Sequence, residues 1–278
     1  MDHEEEKIRR KIKAIKRLPT LPEVARKISK MVGNDKTSAT ELAKIISSNA
    51  VISGRVLRLV NSSFYGFPGK ISSISNAIIL LGFDVVKSLI ICVSVFEMME
   101  KGLPGLWEHS LGCAIASRLI AKKVKGCDPE EVSVAGLLHD IGKIVVSIQL
   151  AEDYEEIKKT IAEKKINFSK AEKEVLELTH EDLGGWLAES WNLPVGLREP
   201  ISFHHHPQQA QQAKLETAIV HLADFLVRAV GHGSGGDPWV SDLNHKAWDR
   251  LGLSIQDLEE TIVDFCDELE SLESEELL

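Results

Sequence analysis

Asp128-Pro-Glu-Glu-Val-Ser-Val-Ala-Gly-Leu-Leu-His-Asp-Ile-Gly-Lys143 is the stretch that decides the fold. Asp128 can accept hydrogen bonds from the first free amides of a helix, and Pro129 suits the first helical position, where an N–H would have no partner. The helix that follows carries Val132, Ala135 and His139 on related faces and delivers an imidazole and a carboxylate side by side, His139-Asp140. An adjacent His and Asp hold metal only if other donors converge on them. Those donors are present: His109 lies upstream, and His180, His204, His205 and Asp224 lie downstream. Imidazole nitrogen with carboxylate oxygen is the donor set of a borderline metal such as iron, manganese, zinc or nickel. Lys143, four residues after His139, is expected to point the same way and to bring an ammonium to a phosphate oxygen beside the metal-bound carboxylate.

Helical periodicity continues outward in both directions, and no two alternating runs are joined by a tight turn, so the chain is expected to be all-α. Residues 2–17 put Ile8, Ile12 and Ile15 on one face of an amphipathic helix, whose basic stretch from Lys7 to Arg17 reads as a solvated face. Leu18-Pro-Thr-Leu-Pro22 ends that helix and starts the next, with Thr20 as cap. Ser38-Ala-Thr-Glu41 has the spacing of a capping box. Asn61 to Gly69 is a loop, and Ile78 to Val95 is expected to be a buried helix in which Gly82 marks close packing or a break. Met98-Met-Glu-Lys-Gly-Leu-Pro104 is expected to separate an N-terminal helical half, residues 1–100, from a C-terminal half, residues 101–278, that holds all the donors beside a cleft.

Within the second half, His109 sits in Trp107-Glu-His-Ser-Leu111, ahead of the small residues Ala114 and Ala116. Thr179 and Asp182 start the helix that bears His180, and Ile219-Val-His-Leu-Ala-Asp224 places a carboxylate in an apolar helix, where it needs a partner. Each piece also has a plain structural reading. His109 or His180 could be a hydrogen-bonded core histidine, His204-His-His206 a solvated loop, and Asp224 the partner of Arg228. Gly231 to Gly236 reads as a flexible connection, Trp239 and Trp248 with Leu251 and Leu253 resume the body, and the acidic segment from Asp264 to Leu278 reads as a solvated or frayed helix end.

The 278 residues carry a formal net charge of -9, which argues against general nucleic-acid binding, because phosphate contact is driven by Lys and Arg. No apolar run approaches the roughly 20 residues of a membrane span, and Met1-Asp-His-Glu-Glu-Glu6 lacks the basic start of a secretory signal, so a soluble, cytoplasmic protein is expected. Cys92, Cys113, Cys127 and Cys266 form no CxxC pair and read as ordinary, mostly buried thiols.

Leu18-Pro-Thr-Leu-Pro22, Val56-Leu-Arg-Leu-Val-Asn-Ser-Ser-Phe-Tyr-Gly66, Ile71-Ser-Ser-Ile-Ser-Asn-Ala-Ile-Ile-Leu-Leu-Gly82, Leu106-Trp-Glu-His109 and Phe203-His-His-His-Pro207 together resemble the HDOD domain, a bacterial relative of the HD-domain phosphohydrolases. The resemblance runs from about Leu18 to about Leu258 and implies a multi-helix fold with an HD-like second half. One departure is Asn49-Ala-Val-Ile-Ser-Gly54, where the family usually writes Asp-Pro-Ala-Leu-Thr-Ala, which implies a weaker turn. His109, His139-Asp140, His180, His204-His205 and Asp224 match in order the ligands of two-metal members of the HD superfamily; many HDOD proteins have lost several of these, and this chain keeps them all. The resemblance implies two divalent transition metals, with His109, His139 and Asp224 on the first, His180, His204 and His205 on the second, and Asp140 between them. Asp140 and Lys143 would then serve two-metal hydrolysis of a phosphoester, and His221 would pack or support a ligand. His206 stands where related cyclic-dinucleotide phosphodiesterases usually carry Glu. Their Gly-Tyr-Pro signature is missing from Pro207-Gln-Gln-Ala-Gln-Gln212, which counts against cyclic di-GMP cleavage.

Two classes of function follow. The resemblance favours a signalling module that regulates or scaffolds through protein contacts; the donor set favours a metal-dependent phosphohydrolase acting on a nucleotide or cyclic dinucleotide. No receiver, kinase or output domain is legible, so signalling proteins acting in trans are the expected partners, with a small phosphorylated ligand as a further candidate.

Overall fold

The computed structural model describes residues 39–273, apart from Ser48, Ser63, Phe64 and Gly66. The helix expected over residues 2–17, the Leu18 to Pro22 break, Ser38 of the expected capping box and the last five residues of the acidic segment lie outside the described residues. Every regular element described is helical.

Four helices form the N-terminal part: α1 (Ala39–Ser47), α2 (Ala50–Val60), α3 (Ile74–Leu81) and α4 (Phe83–Gly102). Asn49, which departs from the family pattern, caps α2 itself, because its Oδ1 accepts from the Ile52 amide at 3.0 Å. Asn61 pins the loop beyond α2, donating to the Ile71 carbonyl at 2.8 Å and accepting from the Ile71 amide at 2.6 Å. The apolar run from Ile78 to Val95 is two helices, broken at Gly82 with φ 87° and with open space where a Cβ would stand, so this glycine marks a break and not a close contact. Nor is the run buried throughout. α3 faces the core through Ile74, Ala77 and Ile78, one helical stripe, which leaves Ile79 and Leu80 exposed on the other side. α4 passes through residue 100, confining the expected break to Leu103–Gly105.

α5 (Leu106–Lys123) is the central helix, buried from Leu106 to Ala121 except at Glu108. α4 meets it through Phe96 against Trp107, and α6 (Pro129–Leu138), α11 (Lys214–Val230) and α13 (Ile255–Glu273) pack along it more extensively. The approach of α6 is close because Gly136 has no side chain; a Cβ there would lie 2.6 Å from the Cys113 carbonyl oxygen and from Ser117 Oγ. After α6 the chain turns through a helical turn, Gly142–Ile144, and a π-helical turn, Val145–Gln149. α7 (Ala151–Lys164), α8 (Phe168–Leu176), α9 (His180–Ser190) and α10 (Val195–Phe203) precede α11, and α12 (His245–Leu251) follows it.

The apolar core runs from Leu42 to Phe265. Two expected soft segments belong to it or are bound to it. The glycine-rich 231–237 stretch is tied down: Ser234 donates its amide to the Gly105 carbonyl at 2.8 Å, and Asp237 accepts from the Phe168 amide at 2.9 Å and from Arg228 Nη1 at 3.3 Å. The acidic α13 is docked through buried Thr261 and Phe265, and Glu268 accepts from Arg118 at 2.7 Å. Trp239 does not join the body and is 40% exposed, whereas Trp248, Leu251 and Leu253 do. Among the described residues, no single helix is long and apolar enough to cross a membrane.

Candidate metal centre

Five elements bring the seven expected donors together. α5 supplies His109 from its first turn. α6, capped by Asp128 and begun by Pro129 as its sequence requires, ends on His139, and Asp140 follows in the turn. Thr179 and Asp182 form a capping box that starts α9 at His180. α10 ends on His204 with His205 next to it, and α11 supplies Asp224. The turn after Asp140 fits against α9 only because Gly142 has no Cβ: one built there would stand 2.7 Å from the Gly184 nitrogen and closer still to the His180 carbonyl oxygen.

Three of the imidazoles are aimed by what the outer nitrogen touches. His139 Nδ1 donates to the Gly136 carbonyl at 2.7 Å and His204 Nδ1 to the Pro200 carbonyl at 3.2 Å. A carbonyl only accepts, so both Nδ1 atoms carry a hydrogen and both Nε2 atoms turn inward. His180 Nδ1 lies 2.6 Å from Glu172 Oε2, which also accepts the His180 amide at 2.9 Å. As a result His180 Nε2 and His204 Nε2 meet nose to nose at 3.2 Å. Two ring nitrogens so opposed need a proton or a cation between them.

Asp140 stands between two groups of nitrogens. Its Oδ1 is 3.2 Å from His180 Nε2 and 3.5 Å from His204 Nε2, while its Oδ2 is 3.3 Å from His139 Nε2 and 3.5 Å from His109 Nε2. Asp224 Oδ1 lies 3.1 Å from His109 Nε2 and 3.7 Å from His139 Nε2. The donor atoms of His109, Cys113, His139 and Asp224 fall within 4.8 Å of one another, and so do those of His180, His204 and His205. His139 Nε2, Asp140 Oδ1 and His205 Nδ1 are buried with no hydrogen-bond partner. Orphaned buried donors of this kind are what a cation would satisfy, and the nitrogen and carboxylate set suits a divalent transition metal.

The charges in the centre are strongly coupled. Burial pushes His109 down to about 4 and lowers His180 and His205 well below the ordinary histidine value. Burial opposes charge on His139 too, yet the neighbouring carboxylates of Asp140 and Asp224 prevail and lift it to about 9. The same contest runs in reverse on the acids. Burial would raise Asp140, but His139 and Lys143 hold it well below the usual carboxylate range; Arg228 and His109 do the same for Asp224.

Lys143 brings its ammonium to the Asp140 carboxylate, as its spacing implied, but from a turn and not from a continuing helix. The helix has already ended at Leu138, and the turn brings Nζ to Asp140 Oδ2 at 2.5 Å, over the Phe168 ring and fully buried. The plain reading of Asp224 also holds in part, since Arg228 Nε donates to its Oδ1 at 2.8 Å. The His204-His-His206 run is no solvated loop: His204 is buried, His205 nearly so, and only His206 is half-exposed, against Glu181 Oε2 at 3.2 Å. His221 supports His204, donating from Nδ1 to its carbonyl at 2.7 Å and accepting the Asn244 amide on Nε2 at 2.9 Å. Sequence reasoning missed three residues. Glu172 occupies the apolar stripe of α8 with Phe168, Ala171 and Leu176, a position where a carboxylate needs a partner. Glu181 accepts the His205 amide at 2.9 Å. Cys113, one turn after His109, is no bystander among the thiols; Cys127 is half-buried and Cys266 exposed, so "mostly buried" holds for only Cys92 and Cys113.

Beside His205 opens a cavity of about 550 Å³, lined by Lys170, Lys173, Glu181, Phe203, His205 and His206, among others.

Comparison with known proteins agrees with this architecture. The HDOD domain model matches residues 18–207, and the chain belongs to that family. It is similar to the crystal structure of an HDOD domain protein of unknown function from Geobacter sulfurreducens, with a TM-score of 0.73 and 28% identity over 94% of this chain and 93% of that one. Two further structures share the fold: a candidate signal transduction protein from Marinobacter aquaeolei VT8 (TM-score 0.75, 20% identity, 98% of this chain and 65% of that one) and a candidate metal-dependent phosphohydrolase from Shewanella amazonensis SB2B (0.63, 21%, 91% of each). An uncharacterized protein of Treponema pallidum (strain Nichols) is 24% identical over 218 residues, 76% of this chain, which spans 42% of that relative's length.

Proposed function

We propose that this HDOD protein is a signalling module built around a retained HD-type dinuclear metal centre, whose ions hold residues 101–278 in the form that partner proteins recognise. The observation that carries the reading is the His180–His204 contact, two inward ring nitrogens 3.2 Å apart with both outer nitrogens already engaged. Two ions of the iron, manganese, zinc or nickel class fit the two donor groups, with Asp140 presenting one oxygen to each. Burial favours regulation over turnover. His109, His139, Asp140, His180 and His204 have no exposed surface, and the described cavities that border the donors do so at His205 and beside His109. A metal pair so enclosed would tie five helices and a turn together, and its binding energy would become folding energy. The partners are signalling proteins acting in trans, in the cytoplasm, with neither nucleic acid nor membrane required.

A second reading, a phosphohydrolase, has one observation in its favour: the cavity at His205 and His206 is large enough for a nucleotide. Metals bound behind it would supply a Lewis acid and an acidified water. Of the chain's own groups, Lys170 and Lys173 line that cavity and would receive a phosphoryl group, while Lys143 is committed to Asp140. The test compares metal-loaded and chelated protein by limited proteolysis, and incubates the loaded protein with cyclic dinucleotides, linear dinucleotides and nucleoside monophosphates beside His139→Ala. The regulatory reading expects metal-dependent protection without turnover. Product released at about 1 per second or faster, and lost in His139→Ala, would make the hydrolase reading the correct one.

A further inference from the structure

We propose that Cys113 is a thiolate ligand of the first metal position, completing a His109, Cys113, His139 and Asp224 donor set that the nitrogen and oxygen pattern alone does not describe. The inference rests on the metal reading above and adds one residue to it. His109 and Cys113 are four apart on α5, so both project from the same face, one turn apart. Cys113 has no exposed surface, and its Sγ lies 3.7 Å from His109 Nε2, the atom that also faces Asp224 Oδ1 at 3.1 Å.

The distance suits shared ligation. Metal bonds of about 2.0–2.1 Å to nitrogen and about 2.3 Å to sulfur, meeting at angles of about 90–120°, set the two donors about 3.1–3.8 Å apart. The observed 3.7 Å falls inside that window. A bystander thiol has a worse alternative. Once a cation takes the His109 Nε2 lone pair, that nitrogen no longer serves the Cys113 sulfur, and a polarizable sulfur would stand against a divalent ion without bonding it. The orphaned His139 Nε2 lies in the same group of donor atoms as the Cys113 sulfur, so the position is marked independently of the cysteine. Binding converts the thiol to thiolate and releases its proton to solvent. One soft donor would bias this position toward zinc or ferrous iron and away from manganese, leaving the His180, His204 and His205 position without such a preference.

Cobalt(II) substitution tests this, because a thiolate bound to cobalt gives an intense near-ultraviolet charge-transfer band that imidazole and carboxylate ligands do not. The chelated wild-type protein, titrated anaerobically with cobalt, is expected to develop the band, and Cys92→Ser, Cys127→Ser and Cys266→Ser to keep it. Cys113→Ser and Cys113→Ala are expected to lose it while one cobalt equivalent binds at least about tenfold more weakly, since even indirect support of a ligand is worth 10–100-fold. Because the wild-type spectrum alone decides whether a thiolate binds, a variant that misfolds does not shelter the proposal. Two bound equivalents without the band, or a band that survives in Cys113→Ala, would overturn the role of Cys113 and leave the metal centre standing. Failure of the wild-type protein to bind cobalt at all would overturn the metal reading itself and this inference with it.

Discussion

Gly142→Ala perturbs the centre without touching a donor. The added Cβ would stand 2.7 Å from the Gly184 nitrogen, and nearer still to the His180 carbonyl oxygen, where real Cβ contacts are essentially never under 3.0 Å. Both neighbours are backbone of α9's first turns, so no flexible side chain can swing aside. Restoring 3.4 Å contact requires a displacement of at least about 0.7 Å between the turn and α9. Overpacking of this kind costs about 1–3 kcal/mol, which in a chain of this size lowers Tm by about 2–12 °C. The displacement also exceeds the roughly 0.2 Å tolerance of metal–ligand bonds, so the His180 group should lose its ion before the His109 group does. Thermal unfolding followed by circular dichroism, with metal content measured on the same samples, reads both effects. A Gly142→Ala protein with wild-type Tm and full metal content would refute the claim that this glycine sets the seat of α9 and the aim of His180.

Other perturbations separate the remaining parts of the account. Arg228→Ala strands the buried carboxylates of Asp224 and Asp237 and should cost about 3–5 kcal/mol in urea denaturation of the chelated protein, with a smaller loss when a bound cation shares Asp224. Phe265→Ala should cost about 3–5 kcal/mol because α13 is docked; a loss under about 1 kcal/mol would mean the acidic helix is merely solvated. For the chelated protein, stability should rise with pH toward about 6.5, because unfolding lets His109, His180, His205 and His221 regain protons that the native state excludes, outnumbering buried Glu172, whose raised carboxyl pulls the other way. Between about 6.5 and 9 it should fall, since native His139 keeps a proton that the unfolded chain has lost; urea midpoints that rise steadily through this window would contradict the assignment.

What was legible in the sequence was local. Asp128 and Pro129 begin α6, and Thr179 with Asp182 begins α9, because a cap is a contact between residues two or three apart and needs no tertiary knowledge. The donors stood out because histidines and an aspartate in apolar helical stripes demand partners. What stayed hidden depends on packing. Cys113 and Glu172 matter only because α6 closes on α5 at Gly136 and α8 turns its stripe toward His180. Lys143 follows a helix that has ended, yet it meets the same Asp140 oxygen that His139 faces, by way of a turn that spacing alone does not describe. Ile79 and Leu80 are apolar but lie off the stripe that α3 buries. The glycines of the 231–237 stretch provide backbone shape for a tied loop, a use that composition alone cannot tell from flexibility.

Metal stoichiometry tests the central claim most directly. Protein purified anaerobically from metal-supplemented medium should carry about two transition-metal equivalents by elemental analysis, and Asp140→Ala should lose both, since its two oxygens face the two donor groups. Substoichiometric metal in the wild-type protein, or two full equivalents surviving in Asp140→Ala, would contradict a dinuclear centre bridged at this residue.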